Sequence, residues 1–474
     1  MKTKSNLIRL LSVSAAVLLA ASVCCSCQPS PDAPSNVSGK EEETVKDLGG
    51  YEFTWATIWN WANYPEPGAT EYGDKRLARY EEIEKKYHCT IKNVTLNAVS
   101  FSNDLAAATA AGSKYYDFFE LDYARFQTVA SSLKPLNDLG GIDVNAQKFN
   151  QKVSSITTRD GKVYGLCYDY QRMPVGSLLF YNKSLLDANG LEDPYELVKS
   201  NNWTFAKFEE MCKKLTKGTD GGEINQWGLA GIDWNAQSIE LPFIFANGGS
   251  IIKKNDQDKW TFALLDDNAQ EALNYLNKWF YTDKTLISSS GRDMYAGFNK
   301  WLNGEVGFFI GSQDYLFSIT GADSKIKEDM EWGFVPLPIG PSADGYRNMA
   351  SDIYCWSMMN SNPDAEKAAI IFNAISEPVY DSYEEDKEAY FDDFTANRLQ
   401  GEDKWLEMYN LCCDSVIADD SWGMQGAEIL GEAIYSCTRN VSKTPKVAME
   451  TIANNMEYWI GAFFYGLTEE DMSS

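Results

Sequence analysis

The chain of 474 residues holds one histidine, His88. A single imidazole excludes every mechanism that needs two, including His-rich zinc sites and the His-Glu-x-x-His helix. A Gly-x-Ser-x-Gly elbow, a Walker phosphate loop, an EF-hand loop and internal repeats are also missing. Positive charge is scarce, with 42 Lys and Arg against 68 Asp and Glu. Without residues 1–26, which hold Lys2, Lys4 and Arg9 and no acid, the net charge becomes −29. Such a chain repels nucleic acid and anionic lipid headgroups, whose binding needs Lys and Arg to displace counterions. The apolar run Leu10–Val23 has 14 residues, short of the roughly 20 that span a bilayer. Beyond residue 27 the seven cysteines are scattered singly apart from Cys412-Cys413. They are expected to be small buried hydrophobes, and an odd number cannot all pair within the chain.

What is present begins at the N-terminus. A basic start, the short apolar run and a small-residue junction are the three parts of an export signal. "CCSC" at 24–27 follows, then "QPSPDAPSNVSGKEEET", too polar and Pro-rich to offset its ordering entropy and expected to be a flexible tether. This start resembles that of a bacterial lipoprotein, whose lipidated cysteine becomes residue one. Cys27 is the expected site because Ser26 suits the cleavage junction. Cys24 and Cys25 remain alternatives, since no Leu stands three residues ahead of Cys27. A Cys-x-x-Cys metal clasp has no second pair or nearby His to complete it. The chain is therefore expected to be exported and held at the membrane's outer face by a lipid.

The roughly 425 residues that follow exceed one hydrophobic core, so two lobes are expected. "YEFTWATIW", "CTIKNVTL" and "YYDFFELD" read as strands around a helix at 74–88, whose Leu77, Tyr80, Ile83 and Tyr87 make an apolar stripe with His88 at its polar end. This strand–helix rhythm predicts helices over a largely parallel sheet. "TFAKFEEMCKKL" predicts a helix capped by Thr204, burying Phe205, Phe208, Met211, Cys212 and Leu215. "EVGFFIG" and "WGFVPLP" read as apolar strands. "NSNPDAEKAAIIFNAI" predicts a helix with Asn362 as cap and Pro363 in its first turn. The acidic run 383–393 is expected to be a solvated helix or loop. Ile452, Met456, Trp459 and Phe463 mark a last amphipathic helix.

Several stretches, in order, resemble the extracellular solute-binding proteins of bacterial sugar ABC transporters. They are "GKVYGLCYDY" at 161–170, "LLFYNKSLLDANGLEDP" with "NNWTFAKFEEMCKKLT", and "FANGGSII" at 245–252. "FNKWLNGEVGFFIGS" at 298–312, "WGFVPLPIGP" at 332–341 and "NSNPDAEKAAIIFNAI" at 360–375 complete the set. The resemblance covers most of residues 51–465. It implies an α/β, two-lobed periplasmic-binding-protein-like fold with a ligand cleft between lobes. Lobe one would take 51–170 and 352–405, and lobe two 171–351 and 406–474, after the signal and lipidation site at 1–27 and the tether at 28–50. Crossings would lie near 168–174 and 345–355. The implied protein is a monomer without catalytic residues, cofactor or metal. It would close on a carbohydrate, expected to be an oligosaccharide, and deliver it to permease subunits of an ABC importer.

A pyranose presents an apolar face and a rim of hydroxyls, which calls for an aromatic plane and for Asp, Asn, Gln or Arg on loops at strand ends. Trp59, Asn60 and Trp61 follow the first strand; strand alternation points one of the two Trp inward and leaves the other packing role open. Asp122 and Tyr123 end the strand "FFELD". Asp169 and Tyr170 follow the family-like turn, where Cys167 replaces a proline. Trp234, Asn235 and Gln313 are the candidates in lobe two. Asp352 lies at a crossing and Trp422 in "DDSWGMQGAE". An exported glycoside hydrolase would need the same aromatic cleft and two carboxylates about 5–9.5 Å apart, for which Asp122 and Asp169 are the pair to suspect. An adhesion or scaffold lipoprotein would need neither cleft nor hinge.

Overall fold

The structure is a computed structural model. It describes residues 46–58, 65–97, 100–168, 174–218, 222–232, 236–287, 293–351 and 353–467. Cys27, Trp59, Asn60, Trp61, Asp169, Tyr170, Trp234, Asn235 and Asp352 lie outside these residues.

The first sheet has the strand order Tyr354–Ser357, Phe118–Asp122, Tyr51–Thr57, Cys89–Thr95. Its three leading strands run parallel, and Tyr354–Ser357 joins antiparallel at the edge. Alternation sends Phe53, Trp55 and Phe118 to one core and Ala56, Phe119 and Leu121 to the other. Both faces are therefore covered, as a sheet with parallel crossovers requires. On the first face Phe118 stacks on Phe372 of the helix Ala365–Ile375, with ring centroids 4.0 Å apart. Truncating such a ring costs about 3–5 kcal/mol.

The second sheet is mostly antiparallel, unlike the first, whose parallel strands follow the strand–helix rhythm of the sequence. Its order is Trp332–Pro336, Leu178–Asn182, Val306–Gly311, Ile224–Gly231, Lys217–Gly218. Only the pair Val306–Gly311 with Ile224–Gly231 is parallel. Every residue of "LLFYN" and "VGFFIG" is buried. The helix Phe205–Leu215 covers this sheet with the expected residues, and Thr204 caps it by accepting from the Lys207 N–H. Phe205 and Phe208 meet Trp279 edge-on, with centroids 5.1 and 5.3 Å apart. The helix Asp403–Asp414 closes the far edge, where Trp405 packs on Trp332.

Local signals carry the remaining helices with two corrections. The first helix begins at Glu71 rather than 74, because Thr70 accepts from the Gly73 N–H. Its end is His88, exposed and left-handed at φ 50°. Asn362 does not cap Ala365–Ile375; Asp364 stands at that position. The Asn362 side chain accepts from the Asp364 N–H and donates to Asp117 instead. The acidic run forms the helix Tyr383–Arg398, mostly solvated, with buried Asp386 accepting from Tyr72 and the Val379 N–H. In the last helix, Pro445–Tyr465, Ile452 and Met456 are buried while Trp459 and Phe463 are half-buried. All seven described cysteines are buried, and none forms a disulfide among the described residues.

Three segments lie side by side where the chain passes between the sheets. Val175 bridges Ala350, the Gly176 N–H donates to Met349 and the Ser351 N–H to Pro174. Asn348–Met349 pairs in parallel with Val416–Ile417. Gly176 is required by this closeness, since a Cβ there would sit 2.6 Å from the Ala350 carbonyl carbon.

Candidate functional site

Beside these segments the C-terminal end of the first sheet meets a loop from the other half. Strand Phe118–Asp122 runs into the helix Tyr123–Val129, and the Tyr123 N–H donates to Ile353 of the returning segment. Opposite lies the loop 418–426, between Val416–Ile417 and the helix Ala427–Thr438. That helix packs beside Pro445–Tyr465, Asp267–Asn277 and Ala236–Ala246, which flank the second sheet.

The loop owes its shape to an acid. Asp419 Oδ1 accepts from the Ser421 N–H at 2.9 Å and from its hydroxyl at 2.7 Å, a side-chain turn that Asp and Ser favour. The turn presents Trp422 toward the first sheet. Gly423 follows at φ +87°, and a Cβ there would lie 2.4 Å from the Ala124 carbonyl oxygen. Only a glycine permits this approach, for reasons of both conformation and space. The Tyr123 hydroxyl then donates to Asp420 Oδ1 at 3.3 Å. Tyr123, Ala350, Ser351, Ile353, Asp419 and Trp422 line a cavity of about 10 Å³, room for about one water molecule.

Electrostatics at this junction follow from burial. Asp419 is 4% exposed, and loss of water raises its carboxyl to about 6, against the lowering effect of the Ser421 bonds. Burial also raises Asp420, partly offset by Tyr123, Arg159 and Lys254. The Tyr123 phenol is pushed up, first by burial and then by Asp420. Among the described residues no group of three or more His, Cys, Asp or Glu could hold a metal ion.

Of the expected site residues, Tyr123 and Trp422 are brought together here. Asp122 is close in sequence but committed: its carboxylate accepts from the Arg125 N–H at 2.9 Å and pairs with the Arg125 guanidinium. It caps a helix rather than facing open space. Gln313 caps no solute-facing loop either. Its carbonyl accepts from the Val175 N–H at 3.1 Å and the Tyr409 hydroxyl at 3.1 Å, so it braces a crossing. Residues overlooked in the sequence are Glu120, Asp419, Asp420 and Arg159. Glu120 accepts from the Ile58 N–H and so fixes the exit of the first strand. "ADDSW" held an Asp-x-Ser turn signal just before Trp422.

A larger hollow, about 510 Å³, opens between Gly140–Lys148 and Asn373–Tyr383. Its lining comes entirely from segments that pack around the first sheet.

Comparison with known proteins agrees with this architecture. The sequence pattern of the family described as bacterial extracellular solute-binding protein matches residues 78–377. A maltodextrin-binding protein of Bacillus subtilis is 24% identical over 249 residues, 52% of this chain and 54% of that protein. The match thus spans about half the length of that relative. An ABC substrate-binding protein of Listeria monocytogenes, solved with cycloalternan, superposes with a TM-score of 0.58 at 18% identity, covering 87% of this chain and 99% of that one. A Mycobacterium tuberculosis protein solved with glycerophosphocholine gives 0.60 at 15% identity, with coverage of 88% and 99%. At such identities the likeness establishes the fold, which is the two-lobed binding-protein fold. With the family pattern spanning well over half of the chain, the protein belongs to the bacterial extracellular solute-binding proteins.

Proposed function

We propose that the protein is a lipid-anchored receptor on the outer face of the membrane. It binds a carbohydrate, most simply an oligosaccharide, in the cleft and passes it to the permease subunits of an ABC importer. The observation that carries this reading is the junction itself: an aromatic pair, Tyr123 and Trp422, and two carboxylates converge from opposite halves beside the crossing segments. An aromatic face with acceptors at its rim is the chemistry a sugar demands. The cycloalternan and maltodextrin partners in the names of similar proteins support the same solute class. Ligand contacts to both halves would stabilise closure, and no bond in the solute is broken.

The segments 51–170 with 352–405 are assigned to one lobe and 171–351 with 406–474 to the other. The two sheets and the helices on them support this division except at its last boundary, because the helix Asp403–Asp414 packs on the second sheet through Trp405 and so moves that boundary ahead of residue 403. Trp59, Asn60, Trp61, Asp169, Tyr170, Trp234, Asn235 and Asp352 are proposed to complete the cleft, as a monomer with Cys27 as the lipid attachment point. No helix among the described residues is long and apolar enough to cross a membrane.

Titrating residues 28–474 with a panel of oligosaccharides, while following tryptophan fluorescence and checking for cleavage, tests this function. A saturable change with one glycan and no product is expected. Release of shorter sugars would overturn the receptor in favour of a hydrolase. Binding of a phosphodiester such as glycerophosphocholine instead would replace the solute class and keep the transport role.

A further inference from the structure

We propose that Asp419 and Asp420 are positioning residues that couple closure of the cleft to proton uptake, an inference that rests on the hinged receptor described above. The geometry is a pair of adjacent carboxylates set into the contact between the two halves of the molecule. Asp419 lines the enclosed junction cavity with Tyr123, Ala350, Ser351, Ile353 and Trp422. Among the described residues it receives hydrogen bonds from Ser421 of its own loop and from no group of the opposite half. Asp420 reaches across, but to a neutral phenol rather than a cation.

Among the described residues the charged and titratable groups around the pair are few. Its own loop sets the two carboxylates side by side, and Tyr123 faces them from the start of its helix. Arg159, from the hairpin Thr158–Val163, and Lys254, from the strand Ile252–Lys254, act on Asp420. Lys254 pairs with Asp258, and among the described residues neither cation forms an ion pair with Asp419. Two neighbouring carboxylates withdrawn from water with so little compensation favour the protonated form.

Opening of the cleft has a definite electrostatic consequence. The contact of Gly423 with Ala124 and of Asp420 with Tyr123 is lost, and water reaches both carboxylates. Their protons then leave at ordinary acidity. Closing reverses this, so the closed form holds more protons than the open one. By linkage, acid favours closure and alkali favours opening. The closed-state carboxyl of Asp419 titrates near 6 and an open-state one near 3.9. One such group makes the closed-to-open ratio about fourfold larger at pH 5.5 than at pH 7.5. Trp422, carried on the turn that Asp419 shapes, moves with it.

Small-angle X-ray scattering on residues 28–474, with no solute added, reads this directly. The expected result is a more compact molecule at pH 5.5 than at pH 7.5, with the difference lost in Asp419→Asn. Equal scattering at the two pH values would overturn the proposal, and so would an unchanged pH response in Asp419→Asn. Should that variant fail to fold, Ser421→Ala removes the hydroxyl hydrogen bond, one of the two that favour the charged form, and leaves the backbone one. It is expected to move the transition to higher pH, and an unmoved transition counts against the proposal. Solute binding is scored separately in the oligosaccharide titration. Failure of the sugar assignment therefore leaves the scattering result interpretable, and failure of the scattering test leaves the sugar assignment intact.

Discussion

Asp117 and Asp419 are both buried aspartates, yet the molecule treats them in opposite ways. Asp117, fully buried under the first sheet, accepts from the Tyr51 hydroxyl, from the Thr54 N–H and hydroxyl at 2.8 Å each, and from the Asn362 amide at 3.2 Å. Lys114 supplies a cation at 2.6 Å. Those donors come from the first strand, the turn before Phe118 and the segment before Ala365–Ile375, so one carboxylate ties three parts of a lobe together. Among the described residues Asp419 has a single serine and no cation. A charge surrounded by donors is a fixed brace, and removing it leaves every donor stranded. A carboxylate buried with so few partners instead favours losing its charge.

The largest effect belongs to the brace. Asp117→Ala is expected to cost about 3–5 kcal/mol, because the half-buried Lys114 ammonium and several donors lose their acceptor. Chemical denaturation of residues 28–474 measures this, and a loss below about 1 kcal/mol would erase the contrast between the two sites. Asp419→Asn is expected to do the reverse. Its folded-state pKa of about 6 lies above the ordinary 3.8, so the ionised form carries a penalty that is relieved as pH falls through 6. The variant therefore gains about 1–2 kcal/mol at pH 7.5, and the gain disappears below about pH 4. A loss at pH 7.5 would show that Asp419 is braced as Asp117 is. The smallest effect is Tyr123→Phe, which removes one long hydrogen bond to Asp420. A weakening of glycan affinity by about fivefold, or about 1 kcal/mol, is expected with little change in denaturation midpoint. A larger change in stability than in affinity would make Tyr123 part of the brace rather than of the junction.

How far the sequence carries can be seen from single residues. Thr204 and the apolar spacing after it announced the helix Phe205–Leu215, because capping and amphipathic periodicity are local properties. The run "VGFFIG" announced a buried strand, but not that Leu178–Asn182 would lie antiparallel beside it. Strand direction depends on partners far along the chain. Asn362 looked like a helix cap and instead serves Asp117, which lies 245 residues earlier. At the junction, Tyr123 was legible as an aromatic at a strand end and Trp422 as an aromatic in "DDSWGMQGAE". Asp419 was not, since in a chain with 68 acids a pair of aspartates reads as solvated surface. Asp122 was legible as an acid at a strand end, but a strand end is also where a helix begins, and capping took it. The remaining cleft candidates lie outside the described residues.

The bonded segments at the crossing have a mechanical meaning. Pro174–Gly176, Asn348–Ser351 and Val416–Ile417 are laced side by side by backbone hydrogen bonds. Such a ribbon resists sliding and stretching, because either would break several bonds at once, whereas small changes in φ and ψ let it twist. It behaves as a torsion spring with one soft coordinate. A transporter that senses this protein would therefore meet a device with a single dial, whose setting reports whether the cleft is filled.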